Sequence, residues 1–185
     1  DDEWILLKDY RNNLEIIARE ISTETNFNGE NILNKDALEA FAKKVQFPSH
    51  AIILKPAEKN YRKVVKNIRN WNELYQHYNS MMAEFGTAYA ETDMRAMYNP
   101  TRMKVIEKVT QKLIAKIKNT CPICNYPGFD VSKINPGLPC SNCFLPTRST
   151  LSHIYQCKNC NHTEEKKYPR NIQYEDPMYC DNCNP

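Results

Sequence analysis

Apolar residues in the first half of the chain recur mainly with helical spacing. Residues 3–22 carry an apolar side chain at every third or fourth position, which predicts an amphipathic helix. That repeat consists of Trp4, Leu7, Tyr10, Leu14, Ile17 and Ile21. A second helix is expected to begin near Asn34 and to end before Pro48, because the position before a proline disfavours helical backbone. The same spacing predicts helices over 61–69, 71–85 and 101–118.

Two short apolar runs, 51–54 and 87–91, predict strands. They lie on either side of predicted helices, and a crossover of about 30 residues commonly joins parallel neighbours. The pattern therefore predicts an α/β segment over 1–119 that is mainly helical, with short parallel strands. In such folds ligands usually bind in the loops after the strand C-termini.

The cysteines dominate the second half of the chain. All eight lie after residue 120 as four CxxC pairs, namely Cys121/Cys124, Cys140/Cys143, Cys157/Cys160 and Cys180/Cys183. A turn of two residues between cysteines directs both sulfurs toward one point, so each pair (a knuckle below) supplies two thiolates to a tetrahedral ion. Consecutive knuckles have the usual zinc spacing, whereas interleaved pairing stays open as the less favoured arrangement. We expect two structural Zn²⁺ ions and a tandem zinc-ribbon module over 120–185.

Three other uses of these cysteines fit less well. A set made only of CxxC pairs is a poor disulfide framework, and no signal peptide precedes it. A thioredoxin-like site uses one CxxC at a helix N-terminus, whereas these pairs occur among the proline, asparagine and glycine residues of turns. A RING-type ubiquitin ligase places its central ligands a few residues apart, but Cys143 and Cys157 are separated by 13 residues.

Composition bounds the class of protein. With 185 residues, 41% hydrophobic and 25% charged, the chain can form one modest core and a metal-bound module. No apolar run reaches the roughly 18 residues of a membrane span, and the acidic start is unlike a signal peptide, so we expect a cytoplasmic protein without membrane contact. The first residue is not Met, which suggests a fragment of a longer protein. Two four-thiolate zinc sites would change the formal charge of +3 to about −1, which gives no global case for nucleic-acid binding.

The loop after the second predicted strand is the best candidate for a functional site. It groups two carboxylates, two guanidinium groups and an amide between a strand and a helix: Glu91, Asp93, Arg95, Asn99 and Arg102. Asn99 before Pro100 is typical of a helix start, whose free N–H groups could hold an anion beside Arg102. Equally, Asp93 and Arg95 could form a structural ion pair while Asn99 only caps the helix and Glu91 is solvated. His50 could act as an acid or base only if the fold brings it to this loop.

Basic and aromatic side chains leave nucleic-acid contact open as a minor hypothesis. Lysines recur at i, i+4 steps on the predicted helix 101–118, and a second basic stretch covers 55–69. Both are more simply solvated faces. Aromatic residues of the cysteine-rich part could stack on bases but are better explained by packing around small metal sites. His153 and His162 are not needed as ligands, because eight cysteines suffice for two ions.

Five sequence strings together resemble a bacterial family of domains of unknown function. They are FPSH at 47–50, ETDMRAMYNPTRM at 91–103, CPICNYPGF at 121–129, GLPC at 137–140 and CDNCNP at 180–185. The chain looks like the C-terminal half of longer members, whose N-terminal region rich in Asp, Thr, Gly and Glu motifs is absent here. The resemblance implies zinc binding and an α/β segment joined to zinc ribbons, with no established reaction.

Two functional hypotheses follow. The first is a zinc-binding protein of unknown biochemical role that acts as a binding module for nucleic acid or protein. The alternative is a hydrolase-like enzyme that acts on a phosphorylated or nucleotide-like ligand at the Glu91–Arg102 loop and is complete only with a missing N-terminal region. There, Glu91 and Asp93 would hold a divalent ion or activate water, while Arg95 and Arg102 would stabilise anionic charge.

Overall fold

The computed structural model describes all residues from 1 to 185 and contains more strand than helix. Strands hold 32% of the residues and helices 27%, and the strands form three antiparallel sheets. The strands are β1 (Asp2–Asp9), β2 (Leu14–Ile21), β3 (Gly29–Ile32), β4 (Ile52–Lys55), β5 (Val65–Ile68), β6 (Ala88–Thr92), β7 (Asp130–Pro136), β8 (Thr150–Gln156) and β9 (Thr163–Lys167). The helices are α1 (Lys35–Lys44), α2 (Trp71–Phe85) and α3 (Pro100–Lys118). The predicted fold class, mainly helical with parallel strands, is therefore wrong.

The predicted first helix is a two-stranded sheet, β1–β2. In β2, Leu14, Ile16 and Ala18 are buried while the residues between them are exposed, which is the alternation of a strand. The turn between the strands is fixed by the Asp9 carboxylate, which accepts hydrogen bonds from two backbone N–H groups and from the Asn12 side chain. Side chains such as Asp and Asn favour turns for this reason.

The second sheet has the strand order β3-β6-β4-β5, and every neighbouring pair is antiparallel. The parallel crossover was wrongly predicted because residues 65–68, expected to be helical, form the additional strand β5. Strand β5 runs antiparallel to β4, so the chain has already reversed its direction before α2. The strand that follows α2, β6, then lies antiparallel to β4. The predicted helices α1, α2 and α3 and the strands at 51–54 and 87–91 are present nearly as expected.

One face of this sheet carries the main hydrophobic core. Alternate residues of β4, Ile52 and Leu54, are fully buried together with Leu38 and Phe41 of α1 and Leu74 of α2. Both helices begin at an asparagine whose side chain accepts a backbone N–H in the first turn, which satisfies part of the helix terminus. The opposite face of the sheet is therefore free of α1 and α2.

The third sheet, β7-β8-β9, lies among the cysteines. The start of β7 pairs with the end of β8, through Asp130 and Gln156, and the start of β8 lies near the end of β9, with Ser152 opposite Lys167. This register decides which cysteines meet, as described below.

The chain divides into two compact units, 1–5 with 19–110 and 6–18 with 111–185. Whether 1–119 and 120–185 fold as separate domains stays a prediction. None of the helices combines the length and apolar character that crossing a bilayer requires.

Candidate metal centres and a polar cleft

The eight cysteines form two groups of four in the second unit. In each group the Sγ atoms all lie within 4.8 Å of one another. The first group unites the first and third knuckles, 121/124 with 157/160, and the second unites the second and fourth, 140/143 with 180/183. The favoured consecutive pairing is therefore wrong, and the interleaved arrangement is the one that the fold adopts.

Antiparallel pairing of β7 with β8 explains the interleaving. The first knuckle directly precedes the start of β7, and the third directly follows the end of β8, so the Asp130–Gln156 pairing brings them together. The second knuckle follows the end of β7, and there the chain after β9 returns alongside it. At that point Ser141 N–H donates to the Glu175 carbonyl and Glu175 N–H donates to the Pro139 carbonyl. The two groups thus lie at opposite ends of the three-stranded sheet.

The first three knuckles share one backbone design. In each, the N–H of the first cysteine donates to the carbonyl five residues later, and the N–H four residues later donates back to that cysteine's carbonyl. The residue after the second cysteine has positive φ, at Asn125, Phe144 and Asn161. Asparagine tolerates this left-handed conformation better than most residues, so its place in two knuckles fits the turn.

Sulfur separations within the groups match a tetrahedral ion. The distance is 3.6 Å for Cys121–Cys160 and Cys124–Cys157, 3.8 Å for Cys140–Cys183, and 3.6 Å for Cys143–Cys180. Four sulfurs placed about 2.3 Å from one ion lie about 3.8 Å apart. A disulfide would need an S–S distance of about 2.05 Å, and all eight cysteines are free. Each group could therefore hold a metal ion.

The backbone favours thiolates in both groups. Hydrogen bonding to the backbone N–H of Tyr126 lowers the pKa of Cys124 to about 6, and that of Leu145 lowers the pKa of Cys143 to about 7. The thiolate is the form that binds metal, so each group favours one ligand in its binding state. In the same groups, hydrogen bonds from the His162 backbone and the Asn142 side chain act to lower the pKa of Cys160 and Cys183, respectively. Burial and the neighbouring thiols outweigh them and raise the pKa of Cys160 to about 12 and that of Cys183 to about 11.

Sequence reasoning missed two side chains that reach from one knuckle to the other within a group. The Asn142 amide donates to the Cys183 Sγ at 3.5 Å, and the Asn159 amide donates to the Cys124 Sγ at 3.7 Å. Each asparagine is third in its own CxxC and contacts a sulfur of the partner knuckle. A signal was present, because asparagine occupies this position in three of the four knuckles.

Four of the five residues proposed from the Glu91–Arg102 loop line one open cleft in the first unit. Its volume is about 520 Å³, and it lies beside strands β3, β4, β5 and β6. The lining comprises Phe27, Asn28, Gly29, Ile53, Glu58, Lys66, Tyr89, Glu91, Thr92, Asp93, Met94, Arg95 and Arg102. We call it the β6 cleft. Asn99 is not part of its lining.

Asp93 is the most buried carboxylate of the cleft and forms an ion pair with Arg95. The Asp93 side chain is 0% exposed, and its two oxygens accept from Arg95 Nε at 2.9 Å and from Nη2 at 2.5 Å. Backbone N–H groups of Asn67 and Arg95 also donate to this carboxylate. Burial raises the pKa of Asp93, but the Arg95 side chain and these N–H groups outweigh it, so the pKa lies below its ordinary value.

The other charged groups of the loop are paired as well. Glu91 accepts from the Lys55 Nζ at 2.8 Å, and the Lys55 side chain is only 4% exposed. Burial lowers the pKa of Lys55, but the bond to Glu91 leaves it above its ordinary value. Arg102 donates to Glu3 from Nε at 2.6 Å and to the Met94 carbonyl from Nη1 at 2.5 Å. The loop thus lines a cleft and also forms internal ion pairs. The predicted Asp93–Arg95 pair is present and Glu91 is paired with Lys55 rather than solvated, whereas a functional role of the loop stays a prediction.

Asn99 and His50 complete the start of α3. The Asn99 Oδ1 accepts the Arg102 N–H at 3.0 Å, as expected of an N-cap, and its amide donates to Asn26. The His50 Nε2 accepts the Thr101 N–H at 3.2 Å, which leaves the ring's other nitrogen to face Ser49. Burial lowers the pKa of His50, consistent with a neutral ring. Because these N–H groups already have acceptors, the predicted anion at this helix terminus has no free donors there.

The remaining basic and aromatic features are largely used in packing. Lys55 and Lys63 of the second basic stretch pair with Glu91 and Glu84, so that stretch is not one cationic face. The His162 ring stacks on Phe129 with centroids 5.9 Å apart, and neither histidine of the cysteine-rich part joins a metal group.

A family model covers the chain from residue 1 to residue 185. That model is described as Domain of unknown function (DUF6671). The chain belongs to this family. No curated protein and no solved structure matches it. The DUF6671 assignment confirms the predicted resemblance to a domain of unknown function, whereas the bacterial origin, the motif and the position in the C-terminal half of longer members stay predictions.

Proposed function

We propose that this DUF6671 chain is a zinc-stabilised binding module with one structural Zn²⁺ ion in each four-cysteine group. The observation that carries the proposal is the sulfur separation of 3.6 to 3.8 Å in both groups. Tetrahedral sites of four sulfurs are typical of zinc or of iron. The amides of Asn142 and Asn159, which each donate to a sulfur of the partner knuckle, are the kind of group that orients ligands and tunes a metal site.

The chemistry of the ligands supports a structural role. Four thiolates fill a tetrahedral ion and leave no position for water or substrate, so we do not expect catalysis at these sites. Each ion would tie together two segments more than 30 residues apart, across the ends of β7, β8 and β9. Metal binding would then supply much of the folding free energy of this sheet. Thiolate ligands also require reducing conditions, which supports the cytoplasm as the location.

Elemental analysis of the purified protein tests the zinc assignment, with circular dichroism before and after chelation. We expect two zinc ions per chain and loss of the β7–β9 sheet on their removal. A paired variant, Cys121→Ser with Cys124→Ser, should retain one ion, held by the second group. Iron in place of zinc, or two ions retained by the variant, would contradict the assignment.

Exposed apolar side chains on the knuckles support the binding role. Ile123 is 69% exposed, Phe144 66% and Tyr179 59%, although each is within or next to a cysteine pair. A net charge of about −1 with two ions bound favours a protein partner over nucleic acid. Fluorescence anisotropy with a labelled single-stranded oligonucleotide tests this choice. We expect no binding of the oligonucleotide that depends steeply on salt. Binding that weakens steeply as the salt concentration rises would instead indicate a nucleic-acid partner.

A second candidate function is the hydrolase-like enzyme acting on a phosphorylated or nucleotide-like ligand. One observation favours it, namely that Glu91, Asp93, Arg95 and Arg102 line the same cleft. Its weakness is that both carboxylates already bind internal cations, Lys55 and Arg95, and neither belongs to a group able to hold a metal ion. Phosphatase activity lost in a Glu91→Gln variant but unchanged by chelation of the cysteine sites would support this function, and absence of activity would count against it.

A further inference from the structure

The β6 cleft contains two guanidinium groups that the fold holds in fixed positions. Arg95 binds the buried Asp93 carboxylate through Nε and Nη2, and its guanidinium lies 4.4 Å from the centre of the Tyr98 ring. Arg102 binds Glu3 through Nε and Nη2 and the Met94 carbonyl through Nη1. An arginine side chain has five N–H donors, so each guanidinium keeps donors that these bonds do not use.

Fixed guanidinium groups are well suited to an oxyanion. The planar fork of arginine matches phosphate or carboxylate oxygens, and a side chain that is already immobilised loses little entropy on binding. Both arginines also remain partly accessible, with the side chain 45% exposed in Arg95 and 33% exposed in Arg102. Their carboxylate partners are more buried, at 0% for Asp93 and 15% for Glu3.

A third cation, Lys66, lines the same cleft. Lys66 is exposed and forms no ion pair within the chain. Of the three carboxylates in the lining, Asp93 and Glu91 are matched by Arg95 and Lys55, and Glu58 is exposed. The cation without an internal partner therefore lies in the same cleft as the two fixed guanidinium groups.

We propose that the β6 cleft binds a small phosphate monoester, with Lys66, Arg95 and Arg102 around the phosphate. This inference rests on the second candidate function and specifies its ligand. Because the carboxylates of Glu91 and Asp93 already hold internal cations, no divalent ion is needed between them and the phosphate. Recognition by cationic side chains alone is an established way to bind a phosphate group.

The shape of the cleft favours a small molecule over a nucleic-acid strand. Its volume of about 520 Å³ falls within the range of small-ligand sites. Ile53, Tyr89 and Phe27 provide apolar surface for the body of the ligand. Glu58 and Glu91 could accept hydrogen bonds from its hydroxyl or amino groups.

The test is a titration of the zinc-loaded protein, followed by two-dimensional ¹H–¹⁵N NMR. The probes are inorganic phosphate, glucose 6-phosphate and adenosine 5′-monophosphate, with glucose and adenosine as unphosphorylated controls. We expect saturable shifts at the amides of 27–29, 66 and 91–95 with phosphate and with at least one monoester. The affinity should be unchanged by Mg²⁺ or by its omission.

Two matched variants make the test specific. Lys66→Gln should weaken binding by about tenfold or more, the effect of losing one charge-assisted hydrogen bond. Lys43→Gln removes the same charge from an exposed position of α1 outside the cleft, so it should leave the affinity unchanged. Neither lysine is buried, so both variants should fold.

Three results would overturn the proposal. The first is no shift at these amides with any phosphate probe up to about 10 mM, which is about ten times the 1 mM dissociation constant of a weak ligand. The second is equal weakening by the two lysine variants. The third is binding that requires Mg²⁺, or that strengthens steadily with the length of an oligonucleotide. Zinc content measured on the same samples separates failure of this proposal from failure of the zinc assignment.

Discussion

The Asp93→Asn substitution tests whether the buried ion pair holds the β6 cleft together. The carboxylate accepts four hydrogen bonds, two from the Arg95 side chain, one from the Arg95 N–H and one from the Asn67 N–H. Asparagine has nearly the same size but only one oxygen. In either orientation its amide nitrogen faces two of these donors, which then lose their acceptor.

The expected cost follows from those two donors. A buried polar group left without a partner costs about 1 to 3 kcal/mol. The Arg95 side chain is 45% exposed and can turn to water, which places its part of the cost at the lower end. We therefore expect Asp93→Asn to lower the free energy of unfolding by about 3 kcal/mol.

Urea unfolding followed by tryptophan fluorescence measures this cost, because Trp71 packs against the core of the same unit. Zinc should be present throughout so that the cysteine groups stay constant. With a slope near 2 kcal/mol/M, the midpoint should fall by about 1.5 M. Asp36→Asn, at an exposed position of α1, is the control and should change the midpoint little. A loss below about 1 kcal/mol for Asp93→Asn would refute the reasoning.

Two further predictions concern His50 and Asn159. Because burial depresses the pKa of His50 below its ordinary value of 6.5, its contribution to stability is complete above pH 6.5 and is lost as the pH falls toward the folded-state pKa. The unfolding free energy should therefore fall by up to about 1.4 kcal/mol per pH unit below pH 6.5. The fall should be smaller in His50→Gln, and identical slopes in the wild type and the variant would contradict the prediction. Asn159→Ala should weaken metal binding in the first cysteine group about tenfold or more, measured by competition with a chelator. Asn182 has the same position in the fourth knuckle but donates to no sulfur, so Asn182→Ala should leave metal binding unchanged.

Helices α1 and α2 could be predicted from the sequence because their signals are local. Asn34 and Asn70 precede α1 and α2 as caps, and Pro48 limits the first of them. The hairpin β1–β2 was missed because its apolar residues satisfy two periods at once. Leu14 and Ile17 fit a helix, yet Leu14, Ile16 and Ala18 alternate as in a strand, and the turn at Asp9 decides between them.

Strand direction and cysteine pairing depend on contacts that are distant in sequence. Both pairing schemes satisfy the spacing of a zinc site, so spacing could not choose between them. The choice is made by the register of β7 with β8, which places Asp130 opposite Gln156 and brings the first knuckle to the third. Similarly, the residues of the Glu91–Arg102 loop could be found from their density of charge. Their ion-pair partners could not, because Glu3 lies 99 residues from Arg102 and Lys55 lies 36 residues from Glu91, so neither gave a local signal.

The central claim is that two structural zinc ions join alternate knuckles, and native mass spectrometry of two serine variants tests it most directly. One variant replaces the cysteines of the first and third knuckles, and the other replaces those of the first and second. Interleaved zinc sites predict one ion bound to the first variant and none to the second. One ion on the second variant and none on the first would instead show consecutive sites and contradict the account, as would wild-type protein without zinc.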